Sequence, residues 1–269
     1  MNVMITGASG GLGRAMAVEC AHRGYNLFLT DLNAQTLPCL KAGLERQFCV
    51  AVTAKACDLT DPDSVDEMLR VIDSSGIRFD MLLNIAGLDF EGGFMTRKRE
   101  AVVNIVTLNA AATLRITHAV LERRRENRHF AVVFVSSLAS MFPMPLKATY
   151  AASKRFLLDF ATALRQELRR QNTNVLVLCP GGMVTNDEVA KAISAQGFWG
   201  GITTNPLEKV ARKTLSRALN GKGSYVPGIF NHTLAMLGRV IPRSWVAAAV
   251  YRRWNGTQKK WMNTAESVR

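Results

Sequence analysis

Val3-Met4-Ile5-Thr6-Gly7-Ala8-Ser9-Gly10-Gly11-Leu12-Gly13-Arg14-Ala15-Met16 opens the chain and decides how it folds. Residues 2–6 read as a buried strand. A glycine-rich turn follows, and then a helical pattern through Ala15, Met16, Val18, Glu19 and Cys20 that ends near Gly24. Gly7, Gly11 and Gly13 let the backbone approach a pyrophosphate and let the helix pack close to the strand, with the helix N-terminus facing the phosphates. The same turn without a ligand is an ordinary tight connection. Its place between a strand and a helix is what favours a bound dinucleotide.

The alternation continues downstream. Residues 26–30 form a second strand that Asp31 ends. A carboxylate there accepts hydrogen bonds from adenosine ribose hydroxyls and repels a 2′-phosphate; the alternative is an Asp that starts a turn. Positions 32 and 33 carry no Lys or Arg and position 10 is Gly, which favours NAD over NADP, with Arg14 the basic residue that would argue the other way. A helix over 36–47 leads to a strand over 50–56 and then to Cys57-Asp58-Leu59. Asp61 and Pro62 have the chemistry of an N-cap and a first helical residue, for a helix to about Ser74. Met81-Leu82-Leu83 is strand four, and the small residues in Asn84-Ile85-Ala86-Gly87 leave space for a flat ligand.

A long helical region over 96–126 carries Asn109 within an Ala-rich stretch, where a buried amide needs partners, either in a site or within the helix. Arg97-Lys98-Arg99 and Arg123-Arg124-Arg125 read as solvated helix faces. Strand six, over 174–178, runs into Cys179-Pro180-Gly181-Gly182-Met183-Val184-Thr185. Residues 186–204 hold no steady period and read as a mobile lid. A helix starting at Pro206 and capped by Asn205 runs to about Leu219, and 224–226 form a last strand. Strand alternating with helix implies right-handed crossovers and an α/β, Rossmann-type, doubly wound parallel sheet of about seven strands between two helix layers. One such domain occupies 1–228, with 229–269 as a C-terminal extension.

The catalytic candidates follow the fifth strand, 131–135. Ser137 stands at its end, and Tyr150 and Lys154 lie four apart on the next helix, on one face. A free phenol has a pKa of about 10, too high for a proton shuttle near neutral pH. A nearby ammonium favours the phenolate, and a general acid/base works best with its pKa near the working pH. A serine hydroxyl can hold a substrate oxygen against the tyrosine. The competing reading of Tyr150 and Lys154 is an ordinary solvated helix face.

At 269 residues, 48% hydrophobic and 20% charged, the chain can bury one sizeable core. Cys20, Cys39, Cys49, Cys57 and Cys179 are odd in number and scattered. They imply neither a disulfide framework nor a metal site, and a reducing cytoplasm fits them. The strand at residue 2 leaves no room for a signal peptide, and no apolar run has the length of a membrane span. The net charge is +13, and from Arg212 onward eleven Lys/Arg face one acid, Glu266, so ten of the thirteen excess charges lie there. A basic tail on a near-neutral body suggests an appended surface function rather than a nucleic-acid-binding fold.

Together these motifs resemble the short-chain dehydrogenase/reductase family in its single-domain, classical branch. The resemblance covers residues 2 to 228 and rests on Thr6-Gly7-x-x-x-Gly11-x-Gly13, on Asn84-Ile85-Ala86-Gly87 with Ile where the family has a second Asn, and on Asn109, Ser137, Tyr150 and Lys154, which fall where the family has its catalytic tetrad. It implies hydride transfer between nicotinamide and a carbinol/carbonyl carbon. Tyr150 would move the proton, Lys154 would lower the phenol pKa and hold the nicotinamide ribose, Ser137 would orient the substrate oxygen, and Asn109 would keep a water in a proton relay. On the cofactor side it implies Gly7, Ser9, Gly11, Leu12, Gly13, Asp31, Asp58 and Leu59 for the adenosine half. It implies Asn84, Ala86, Gly87, Pro180, Gly181 and Thr185, with Tyr150 and Lys154, for the nicotinamide half. A homodimer or homotetramer paired through the helices of Asn109 and Tyr150 is implied as well.

Leu138, Met141, Phe142, Pro143, Met144, Met183, Phe198 and Trp199 flank the catalytic residues in sequence and imply an apolar pocket for a hydrophobic substrate; the alternative is packing under the lid. In the extension, Leu234, Leu237, Val240, Ile241, Trp245, Val246, Ala249, Val250 and Trp254 form stripes at helical spacing, broken at Pro242 and flanked by Arg and Lys. Such a hairpin either packs on the body, covers the pocket or a neighbouring subunit, or lies on an anionic membrane surface. Two other functions fit the same fold: a catalytically idle dinucleotide-binding regulator and a membrane-surface interaction protein.

Overall fold

Val3 and Ile5 turn to one face of β1 (Asn2–Thr6) and Met4 to the other, and all three are fully buried. The same alternation divides β4 (Met81–Asn84) and β5 (Phe130–Val135) between two apolar clusters, one on each side of the sheet. A sheet buried on both faces calls for helices on both faces, which is the habit of parallel sheets. The first cluster is closed by α1 (Gly11–His22), α2 (Thr36–Phe48) and α7 (Leu207–Leu219), and the second by α3 (Pro62–Ser74), α5 (Thr113–Glu122) and α6 (Ala148–Leu168).

The structure, a computed structural model, describes residues 1–89, 91–184 and 203–266. Among these residues seven strands pair, all in parallel. The other four are β2 (Asn26–Asp31), β3 (Val52–Ala56), β6 (Thr173–Leu178) and β7 (Ser224–Tyr225), and the order is β3-β2-β1-β4-β5-β6-β7. The chain winds outward in both directions from β1, so the order reverses between β1 and β4. Ligands of such sheets sit in the crevice at the carboxyl ends of the strands at this switch point.

Several local expectations need correction. The long helix starts at Arg99, not at 96, because Arg97 and Lys98 are extended after a short 3-10 turn. It is α4 (Arg99–Val106), then a π-helical turn at Thr107–Ala112, then α5, which ends at Glu122. Arg123 to Arg125 therefore lie on no helix face. Arg123 forks onto Asp73 of α3 with two 2.7 Å bonds, and the backbone around Arg124 pairs with Phe79. The helix of Tyr150 begins two residues earlier, at Ala148. Asp61 caps α3 as expected, accepting from the Asp63 N–H at 3.1 Å, whereas α7 is capped by Pro206 and not by Asn205. The Asn205 amide turns back to the Thr203 carbonyl instead.

The extension forms two helices, α8 (Ile229–Val240) and α9 (Arg243–Glu266), broken at Pro242. Asn231 anchors α8 in the body, fully buried, donating to the carbonyls of Pro227 and Thr203. Gly238 lets α8 lie on the Phe142 ring, where a Cβ would come within 2.3 Å. Among the described residues no helix is long and apolar enough to cross a membrane.

Candidate active site

The carboxyl ends of the strands build the site. At the end of β1, Thr6 is buried and its hydroxyl accepts from the N–H groups of Ile85 and Ala86, at 3.1 and 3.2 Å. This fixes the turn after β4 against the glycine turn after β1. Gly7 (φ +66°) has no room for a side chain, since a Cβ would lie 2.7 Å from Ala86. Gly13 has less, its Cβ position being 2.0 Å from the Gly7 carbonyl oxygen. With Gly10 as N-cap, α1 receives no side-chain cap, so its first N–H groups point to the crevice uncapped.

Asp31 is already engaged: its two carboxylate oxygens accept from the Ser9 N–H at 2.8 Å and the Asn33 N–H at 3.0 Å. The Ser9 hydroxyl accepts from Thr36. One oxygen of Asp58 accepts twice from Thr60, at 2.8 and 2.6 Å. Leu12 and Leu59 place their side chains in the core, so only their backbones can serve a ligand. The Asn84 amide donates to Thr117 at 2.9 Å, pinning α5 to β4.

The π-helical turn swings Asn109, fully buried, onto the backbone of Leu88. Its amide accepts from the Leu88 N–H at 2.8 Å and donates to the Leu88 carbonyl at 2.9 Å and to Ser153 at 3.0 Å. Ser153 in turn donates to the Tyr150 carbonyl. One amide thereby ties the loop after β4 to the helix of Tyr150. Ser153 has no signal in sequence beyond its place between Tyr150 and Lys154.

The end of β5 carries Ser136 and Ser137. The Ser136 hydroxyl donates to the Lys154 carbonyl, and the Lys154 ammonium, 4% exposed, donates to the Val135 carbonyl at 2.9 Å. That ammonium lies 5.8 Å from the centroid of the Tyr150 ring, and the Ser137 hydroxyl is close enough to act on the phenol. Gly87 faces the same spot; a Cβ on it would come within 3.0 Å of both Lys154 Nζ and Asn109 Oδ1. The four expected catalytic residues thus converge at one strand end.

Their electrostatics differ from the expectation. Burial dominates at Tyr150 and pushes its phenol up; the Asp89 carboxylate adds to the rise and the Ser137 hydrogen bond opposes it. Burial also lowers Lys154 to about 8, against the opposing pull of Asp89 and Cys179. Asp89 and its partner Lys147 are site residues that the sequence reading missed, since nothing local links positions 58 residues apart.

Leu138 N–H donates to the Pro180 carbonyl at 2.7 Å, which brings the Pro180-Gly181 segment beside Ser137. Leu138 and Phe142 pack partly buried on the α6 side of the sheet, Met144 is partly buried in the loop before α6, and Met183 packs against the core on the α1 side. Thr185, Phe198, Trp199 and most of the expected lid lie outside the described residues.

A glycine turn at the switch point of a doubly wound parallel sheet, next to a Ser–Tyr–Lys cluster, places the chain in the Rossmann-type α/β class. The chain belongs to the short-chain dehydrogenase family, whose sequence profile (short chain dehydrogenase) matches residues 1–195. A very-long-chain 3-oxoacyl-CoA reductase of Laccaria bicolor is 29% identical over 174 residues, 64% of this chain and 52% of that protein. An uncharacterized oxidoreductase of Myxococcus xanthus is 33% identical over 183 residues, 66% of this chain and 70% of the relative. The chain spans about half the length of the 3-oxoacyl-CoA reductases it matches. In fold it is similar to L-sorbose reductase from Gluconobacter frateurii, solved with NADPH and L-sorbose. The TM-score is 0.75 at 24% identity, over 84% of this chain and 94% of that one.

Proposed function

We propose that this chain transfers a hydride between a nicotinamide cofactor and the carbinol/carbonyl carbon of a hydrophobic alcohol or ketone. One observation carries the reading: Ser137 at the end of β5 acts on the Tyr150 phenol, and the buried Lys154 ammonium lies 5.8 Å from the ring. The residues present fit NAD(P). The crevice floor is kept free of side chains at Gly7 and Gly87, and the uncapped start of α1 faces it. NAD(P), when bound, supplies or accepts the hydride. Tyr150 gives or takes the proton at the substrate oxygen, and Ser137 holds that oxygen. Lys154, charged below about 8, stabilises the transient phenolate and binds the nicotinamide ribose. Asn109, committed to Leu88 and Ser153, keeps the helix of Tyr150 in register with the loop after β4 and leaves its own backbone to the proton relay.

Asp31, Ser9, Gly11, Leu12, Gly13, Asp58 and Leu59 would hold the adenosine half through side-chain or backbone groups. Ala86, Gly87, Pro180, Gly181 and Thr185 would hold the nicotinamide half, with Asn84 acting through the strand it pins. A carboxylate held at the end of β2 supports NAD over NADP. Leu138, Phe142 and Met144, partly buried in the stretch of chain that follows Ser137, support a hydrophobic substrate.

The test is a titration with NADH and NADPH followed by nicotinamide fluorescence, together with Tyr150→Phe. The variant should bind cofactor as wild type and lose turnover about 100- to 10,000-fold. Full turnover without the phenol would remove Tyr150 from the chemistry.

The outer surface supports two partners. Val103, Val106 and Phe156 are exposed on α4, its end and α6, which suits pairing of two copies through those helices. On the extension, Ile229, Met236, Leu237 and Trp245 are 90%, 57%, 52% and 72% exposed, and from residue 229 seven Lys/Arg stand against one acid. Exposed apolar side chains on a segment of such basic composition match an anionic lipid surface. Sedimentation with anionic but not with neutral vesicles checks this. A purely oligomeric role of that face would leave the chain in the supernatant with both.

A further inference from the structure

The loop after β4 places two acids, Asp89 and Glu91, on the Lys147 ammonium that neighbours Tyr150. The Lys147 ammonium lies 2.8 Å from Asp89 Oδ2, 3.6 Å from Glu91 Oε2 and 5.7 Å from the centroid of the Tyr150 ring, with its side chain only 15% exposed. Glu91 is gripped from the far side. The indole N–H of Trp254, on α9, donates to Glu91 Oε1 at 2.6 Å, and Arg97 donates to the Glu91 carbonyl at 3.2 Å. The Gly92 N–H donates to the Leu146 carbonyl at 2.8 Å, and Leu146 itself sits at φ +66°. A branched side chain keeps that left-handed conformation only where its surroundings hold it. Gly92, Arg97, Leu146, Lys147 and Tyr150 are among the residues around a cavity of about 100 Å³.

We propose that the C-terminal extension is a working part of the catalytic pocket: Trp254, through Glu91, fixes Lys147, a positioning residue that offsets the Asp89 charge beside Tyr150 and walls the cavity that receives the substrate. This rests on Tyr150 being the acid/base. The groups facing Tyr150 are Asp89 from the loop after β4, Lys147 ahead of α6, Lys154 within it, Ser137 from the end of β5, and Arg97 across the cavity, with Glu91 behind Lys147. Burial holds the phenol up most and Asp89 adds to the rise; the Lys147 ammonium, 2.8 Å from Asp89, limits that addition. Two acids sharing one lysine would leave an excess negative charge by the phenol. The Trp254 N–H takes part of it, which a phenylalanine ring of similar shape cannot do.

The experiment compares wild type with Lys147→Met, Lys147→Arg, Asp89→Asn, Trp254→Phe and Tyr150→Phe. The first readout is the ultraviolet phenolate titration, each background taken as a difference with and without Tyr150→Phe. The second is the pH dependence, KM and kcat of NAD-linked cyclohexanol oxidation. Lys147→Met should raise the phenol titration by about one pH unit, Asp89→Asn should lower it, and Lys147→Arg should restore it. Trp254→Phe should raise KM about fivefold with kcat nearly kept, and shift the titration in the direction of Lys147→Met by less. An unchanged titration in Lys147→Met, or in Trp254→Phe, overturns the inference; if Tyr150→Phe is then inactive, the acid/base reading still stands. Undiminished turnover by Tyr150→Phe removes that reading and this inference with it.

Discussion

Gly13→Ala would place a methyl group 2.0 Å from the Gly7 carbonyl oxygen and 2.9 Å from Ala8 Cα. Ordinary contact begins at 3.4 Å, so α1 would have to retreat by about 1.4 Å, the difference between 3.4 and 2.0. Neither side gives easily. Gly7 is at φ +66° with Ala86 already against it, and α1 is seated by buried Leu12, Met16 and Ala17. Overpacking of this kind costs about 1–3 kcal/mol. For a chain of this size that lowers the thermal midpoint by roughly 2–12 °C. The retreat also draws the first N–H groups of α1 away from the crevice. Losing one hydrogen bond to a charged group costs about 1.5–3 kcal/mol, so NADH affinity should fall by about 10- to 100-fold. Gly10→Ala is the control, since its Cβ would meet only the Gly7 carbonyl oxygen, at 3.5 Å. The penalty there should stay near that of a poorer N-cap, about 1 kcal/mol or less. Thermal melts and NADH titrations of both variants test this. A Gly13→Ala protein as stable and tight-binding as wild type, or a Gly10→Ala protein as damaged as Gly13→Ala, would refute the close-packed turn.

Ser153→Ala removes the hydroxyl between the Asn109 amide and the Tyr150 carbonyl; it should cost about 1–2 kcal/mol in denaturant unfolding and lower kcat more than cofactor affinity. Asp31→Ala strips the carboxylate that receives the Ser9 and Asn33 N–H groups, and paired NADPH and NADH titrations should show their affinity ratio rising about tenfold, or about 1.4 kcal/mol. Lys154 is lowered from 10.5 to about 8, so the unfolded chain binds the extra proton between those values, and stability should rise as pH climbs from about 8 to 10.5. Turnover should fall over the same window as the ammonium is lost. Lys154→Met should abolish turnover and the rise in stability together, as read by melts and rate profiles across that range.

The glycine turn after β1, the strand–helix alternation and the Tyr150–Lys154 spacing were legible from the residues alone. Each is a local signal: periodicity of two or four, a turn that only glycine allows, a hydroxyl one residue past an apolar run. Such signals also located Asp61 as a cap and Pro 242 as the break between the tail helices, because capping and breaking act within one turn of chain. The sequence was read wrongly or silently where the partner is remote. Arg123 looks like a helix-face charge until α3 brings Asp73 to it, and Asn109 gives no hint of the π-helical turn that lays its amide on Leu88. Asp89 and Lys147, or Glu91 and Trp254, are unrelated charges and rings along the chain. They meet because the sheet order sets the end of β4 beside the start of α6, and α9 folds back to reach Glu91 in the loop after β4. Local backbone geometry thus decided the fold and put the candidate catalytic side chains at strand ends and on the helix that follows β5. The charges around the phenol depend on which elements the tertiary packing brings together, and burial, which no single segment determines, then sets the protonation of Tyr150 and Lys154.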